Sequence, residues 1–211
     1  MQLKLNKVSK VLSAIVIINL SLMLQGCPAV MIGAAGGTAL AIHDRRDSAT
    51  ILQDQRIESI ATDKLYDDPQ LKGKIHINIT SYNRVVLLSG EVLTHAAREQ
   101  ATKIVQNVPG IRVIHNELVV ADLTSFASRS KDSLITSKVK AEMLNEKDVD
   151  STRVKVVTEN GNVFLMGLVT EKEAELAVNV ARNVDDVKQV TRIFEILPEP
   201  GPAPVVNDEK K

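Results

Sequence analysis

Residues able to do chemistry are thinly spread along this chain. Its four histidines, His43, His76, His95 and His115, fall on different predicted elements. None forms a two-histidine motif with an acidic neighbour, so they read as solvated surface side chains rather than metal ligands. Glu146, Asp148 and Asp150 crowd one loop, but it lacks the sharp-turn glycine and closing glutamate of a calcium loop. They suit a solvated turn after a helix. Ser89-Gly90 closes a strand instead of forming a nucleophile elbow. Asp67 and Asp68 precede Pro69 as turn residues. The expectation is no catalytic residue, no metal and no bound cofactor: this is not an enzyme sequence.

Cysteine chemistry is different, because Cys27 is the only cysteine. Lys4, Lys7 and Lys10 precede a predominantly apolar run over residues 11–24, closed by Leu24-Gln25-Gly26-Cys27. A spanning helix needs roughly 20 apolar residues, so this shorter run reads as an export signal. The quartet resembles the lipobox of bacterial lipoproteins. That resemblance implies S-diacylglycerol on the Cys27 thiol before residues 1–26 are removed, with N-acyl lipid also on Cys27 of the mature protein. A lipid-bearing thiol also explains an exported chain with one unpaired cysteine. Pro28 follows where aspartate is the usual inner-membrane retention signal, which favours the outer membrane.

Formal charge is balanced at 26 basic and 26 acidic residues. Loss of the leader with its three lysines leaves a net charge near −3. That excludes a general nucleic-acid binder, which needs a strong basic excess. Aromatics make up 2% of the chain and tryptophan is absent. The cores must therefore be built from Val, Ile, Leu and Ala, and stacking platforms are scarce.

The elements around these residues repeat. Ile77-Asn78-Ile79-Thr80, a turn, and Val85-Val86-Leu87-Leu88-Ser89-Gly90 match Val154-Lys155-Val156-Val157, a turn, and Val163-Phe164-Leu165-Met166-Gly167. A threonine-led helix follows each hairpin, at residues 94–107 and 170–183. A final strand follows each helix, at 113–120 and 189–197. Ile57, Ile60, Ala61 and Leu65, and later Ile135, Val139 and Met143, mark an opening helix in each half. Alternation in the strands predicts sheets with one face buried and one exposed. Asn160-Gly161 predicts a type I′ hairpin, whereas Asn83-Arg84 predicts a less regular loop. Gly90 and Gly167 mark close backbone approach or unusual φ. Units of about 65 residues bury little alone, so the two should dock.

The fold class is α+β: two tandem units of helix–strand–strand–helix–strand, each with a small mixed sheet on two helices. The expected organisation is a leader at 1–26, then a lipidated N-terminus and Ala/Gly-rich spacer at 27–53, with a polar hinge over 43–48. The first unit spans 54–122, a connector 123–131, the second unit 132–197, and a disordered Pro-rich tail 198–211.

Residues 85–90 with Val108-Pro109-Gly110-Ile111, and 158–171 with Val184 and Val187, resemble the BON-domain proteins of the bacterial envelope, in particular their dual-BON outer-membrane lipoproteins. Asp185-Asp186 departs from the family's glycine after the helix and leaves that cap open. The resemblance implies a lipid-anchored protein on the periplasmic face of the outer membrane. It further implies binding of anionic phospholipid (phosphatidylglycerol or cardiolipin) by the second unit and support of envelope integrity, division sites included. An adaptor binding an envelope protein or cell-wall factor without lipid recognition is the alternative.

The first helix of the second unit, read as residues 133–145, is the candidate contact surface. Ile135, Val139 and Met143 should face the sheet. Leu134, Ser137, Lys138 and Ala141 form an adjacent stripe, with Lys140, Arg129 and Lys131 nearby. An apolar tip flanked by cations suits shallow insertion among anionic headgroups. The other reading packs Leu134 on the first unit and leaves the lysines solvated.

Overall fold

A computed structural model describes residues 44–199, which belong to one compact unit. The leader, Cys27, His43, most of the spacer and the tail from residue 200 lie outside the described residues.

Two copies of one unit follow each other. The first comprises α1 (Ser48–Tyr66), β1 (Ile75–Tyr82), β2 (Val85–Val92), α2 (His95–Gln106), β3 (Val113–Asn116) and β4 (Val119–Val120). The second comprises α3 (Phe126–Asn145), a 3-10 turn at Ser151–Arg153, β5 (Val154–Glu159), β6 (Asn162–Thr170), α4 (Glu171–Arg182) and β7 (Gln189–Leu197). In each sheet the middle strand pairs antiparallel with its hairpin partner and parallel with the strand after the helix. The helix before that last strand makes the parallel crossover possible. Strands β3 and β4 keep one register against β2. The break between them comes where Asn116 Oδ1 accepts the Leu118 N–H at 3.1 Å.

One core fills each unit between helices and sheet. Ile57, Ala61 and Leu65 of α1 meet Ile75, Ile77, Val86 and Leu88. In the second unit Ile135, Val139 and Met143 meet Val154, Val156, Val163 and Leu165. These are the stripes that the helical spacing predicts, except that Ile60, expected on the inward face of α1, is exposed. Gly90 and Gly167 serve as expected. A Cβ on Gly90, at φ +114°, would sit 2.1 Å from the His76 carbonyl oxygen, and one on Gly167 would sit 2.5 Å from that of Arg153.

The sheets' other faces are not exposed, contrary to the alternation-based expectation. Tyr82, Val85 and Leu87 of the first sheet bury against Phe164, Met166, Leu168 and Ile193 of the second. The units dock sheet to sheet, so all eight residues of β2 are buried. At the rim, Asn83 Nδ2 donates to Glu195 at 2.7 Å, and Arg112 also pairs with Glu195. Residues 44–47, read as a hinge, are fixed across this seam. Arg45 pairs with Glu173 at 2.6 Å and donates to the Leu168 carbonyl at 2.8 Å, both in the second unit. Arg46 pairs with Asp44 and Asp54 and lies 3.8 Å over the Tyr82 ring, an arrangement attractive to a cation. Burial, with Asp44 nearby, pushes the Tyr82 phenol up to about 12.

The first hairpin is as tight as the second. Asn83 and Arg84 both take positive φ (52° and 64°), like Asn160 and Gly161 (49° and 78°). A buried carboxylate supplies what Arg84 lacks in turn preference. Asp54 on α1 accepts the Asn83 and Arg84 N–H groups at 2.8 and 2.7 Å, and the Ser81 hydroxyl at 2.7 Å. Asp132 on α3 likewise accepts the N–H groups of Asn160 and Gly161 at 2.9 and 2.8 Å. At the second unit's α4, Asn183 is the C-cap and Asp186 takes φ +70°, the role of Gly110 (φ +92°) in the first unit. Asp tolerates this region through its short polar side chain.

Asp132→Ala strands the buried Gly161 N–H and the part-buried Asn160 N–H. It should lower unfolding free energy by about 2–4 kcal/mol in urea, while Ser133→Ala beside it changes stability by less than about 0.5 kcal/mol. Equal effects of the two would show that the turn holds itself.

Candidate functional site

Helix α3 begins at Phe126, about two turns earlier than the sequence suggests, so much of the expected connector is helical. Those turns carry no core side chain before Asp132, and apolar periodicity therefore misses them. Their start is a cap: Ser125 Oγ accepts the Ser128 N–H at 3.3 Å.

The early start changes the surface. On the side away from Ile135, Val139 and Met143, α3 exposes Phe126 (79%), Leu134 (64%) and Leu144 (74%). Phe126 and Leu144 are five turns apart, so they share one line about 27 Å long. Ser130, Ser137 and Ala141 lie between them, with Leu134 toward one flank. Leu134 does not pack on the first unit. Three serine hydroxyls on this face turn back onto the helix. Ser130 donates to the Phe126 carbonyl at 3.0 Å, Ser133 to that of Arg129 at 3.1 Å and Ser137 to that of Ser133 at 2.9 Å. Hydroxyls satisfied in this way cost less to move out of water.

Cations border the row on both sides, with Arg129 and Lys140 on one and Lys131 and Lys138 on the other. Among the described residues Arg129, Lys138 and Lys140 take part in no ion pair, whereas Lys131 pairs with Asp186 at 2.7 Å. That bond holds the Asp186 carboxyl below its usual range. Between Phe126 and Ala141 the only carboxylate is Asp132, which is buried in the turn. Glu142 comes next and is exposed, on the Lys138 flank beside α4. Helix α1 of the first unit also exposes Leu52, Ile60 and Tyr66, but less fully, and it carries only Arg56 and Lys64 as cations, with Asp63 exposed beside Lys64. The structure thus brings Leu134, Ser137, Lys138, Lys140 and Ala141 onto the outer surface of α3. Phe126 and Leu144 were missed, although each is a large apolar residue beside a polar run. No helix among the described residues is long and apolar enough to cross a membrane.

Two further sequence readings change. His76 is not a solvated surface side chain: it is half-buried, with Nδ1 3.1 Å from Glu91 Oε2. Asp150 caps the 3-10 turn, accepting the Thr152 N–H at 3.1 Å.

The BON-domain family profile matches residues 53–122 and 131–198. The outer membrane lipoprotein DolP of Haemophilus influenzae is 36% identical over 182 residues, covering 86% of this chain and 94% of that one. A 21 kDa hemolysin of Actinobacillus pleuropneumoniae is 37% identical over 154 residues, 73% of this chain and 79% of its own. The osmotically-inducible protein Y of Escherichia coli is 32% identical over 142 residues, 66% of this chain and 70% of that protein. The chain belongs to the BON-domain family, among its dual-BON outer-membrane lipoproteins. Its class is that of a non-catalytic envelope protein, lipid-anchored on the periplasmic side of the outer membrane.

Proposed function

We propose that the outer face of α3 lies along the periplasmic surface of the membrane and binds anionic phospholipid, with Cys27 as the lipidated anchor. The observation that carries this reading is the exposed row of Phe126, Leu134 and Leu144 with self-satisfied serines between cations. Full burial of one leucine contributes roughly 1.5–3 kcal/mol and shallow insertion gives less. Each cation near an anionic leaflet adds about 1 kcal/mol. Three apolar side chains and three unpaired cations therefore give useful affinity only as a set, which suits a protein already held at the membrane by its acyl chains. Residues 54–122 and 132–197 act as two BON domains, of which the second carries the contact.

Protein lacking the leader and Cys27 should float with phosphatidylglycerol or cardiolipin vesicles and less with zwitterionic ones, the more so at low salt. Leu134→Glu should cut this binding at least tenfold with circular dichroism unchanged, because Ile135, Val139 and Met143 are untouched. Lys138→Ala should lose less and mainly flatten the salt dependence. If vesicles of every composition are ignored, the exposed row docks on an envelope protein instead.

Cys27→Ser should leave unprocessed precursor that incorporates no labelled fatty acid. Labelling that persists in this variant would move the anchor to another residue.

A further inference from the structure

One end of the seam between the units is polar, and its residues come from both. His76 and Glu91 stand directly opposite each other on β1 and β2, with their side chains toward the second sheet. Glu159 at the end of β5 faces them from the second unit. One ligand atom from each of the three residues lies within 4.8 Å of the others. Glu91 and Glu159 are only 5% and 6% exposed. Around them, Asn78 donates to Glu159, and Thr124 Oγ1 donates to Glu91 Oε2 at 3.0 Å. Among the described residues neither carboxylate pairs with a lysine or arginine, so two buried carboxylates share one imidazole.

A polar group without a partner among the described residues lies on the same side of β2. Ser89 lies two residues before Glu91 on the same side of β2, opposite Asn78 in the register. It is 1% exposed, and its Oγ has no hydrogen-bond partner among the described residues. Such orphaned groups are rare in a native core. A cavity of about 80 Å³ adjoins the cluster, lined among others by Gly90, Glu91, Thr124, Glu159 and Phe164. That is room for water and a route for a small ion.

We infer that His76, Glu91 and Glu159 bind a divalent transition-metal ion, Zn²⁺ being the best match, which clips the two BON units together. One imidazole and two carboxylates match zinc, which accepts N and O ligands and takes water as a fourth. Calcium and magnesium call for more oxygen ligands, and magnesium for near-ideal octahedral geometry. Zinc ligands at about 2.0–2.1 Å lie roughly 3.4 Å apart. His76 and Glu91 already stand at 3.1 Å, so a small side-chain shift of Glu159 completes the set. Thr124, which lies against both Glu91 and His76, is placed to bond the water of the open position. The ion would bind only where both units are docked, so its binding adds to the stability of the docked state.

Full-length protein in detergent, stripped with chelator, is titrated with ZnCl₂ by calorimetry and followed by thermal unfolding. The expected result is one tightly bound equivalent and a rise in unfolding temperature that chelator reverses, with Mg²⁺ and Ca²⁺ inert at the same concentration. His76→Gln and Glu159→Gln should each weaken binding at least tenfold, while the double variant His95→Gln, His115→Gln keeps it. Absence of that equivalent in the native protein overturns the inference whatever the variants do. So does binding that survives both seam substitutions, or that is lost with His95 and His115.

Discussion

A carboxylate buried at the start of each unit, and the two turn N–H groups it receives, set the geometry on which the rest depends. Asp54 and Asp132 stand three residues before Ile57 and Ile135, on the apolar side of their helices, and reach the hairpin tip across the core. Each therefore fixes three things at once: the helix against the sheet, the tightness of the turn, and the register of the hairpin. Register matters because a slip of one residue would exchange the two faces of the sheet. With it fixed, Val86 and Leu88 face the helices while Val85 and Leu87 face the neighbouring unit.

Sheet-to-sheet docking follows from that arrangement and has a consequence for function. Small units bury too little alone, and here each uses the other's sheet as a second core. The sheet faces are thereby closed to a lipid or protein partner, and exposed contact surfaces are left to the helices and rims. Of the two opening helices, α3 carries the more exposed apolar side chains, Phe126, Leu134 and Leu144, and four flanking cations against Arg56 and Lys64 on α1. Arg45 reaches Glu173 and the Leu168 carbonyl, so the chain leading from the N-terminus is itself bound across the seam.

Much of this was legible in the sequence. The repeat showed the element order, the leading threonines showed where the second helix of each unit starts, and Ile135, Val139 and Met143 showed the inward face of α3. What escaped has physical causes. Alternation in a strand reports that one face is apolar, yet Leu87, Phe164 and Met166 on the other face could equally have been strand interior. Turn preference judged Asn83-Arg84 poor because the compensating Asp54 is remote in sequence. An aspartate on an apolar stripe at the same place in both repeats was the available sign. The first turns of α3 lack core residues, so their helical state rests on Ser125 capping and hid Phe126 from the candidate surface. His76 looked isolated because its partners Glu91 and Glu159 come from other strands, one of them in the other unit.

We propose that the membrane meets this protein along α3. Nitroxide labels placed singly by Phe126→Cys, Leu134→Cys, Leu144→Cys and, as a control on α1, Ile60→Cys test it most directly in full-length protein on phosphatidylglycerol vesicles. The three α3 labels should become accessible to oxygen and shielded from a water-soluble nickel chelate, while the label at position 60 stays aqueous. Three aqueous α3 labels, or immersion of the label at position 60 in their place, would contradict it.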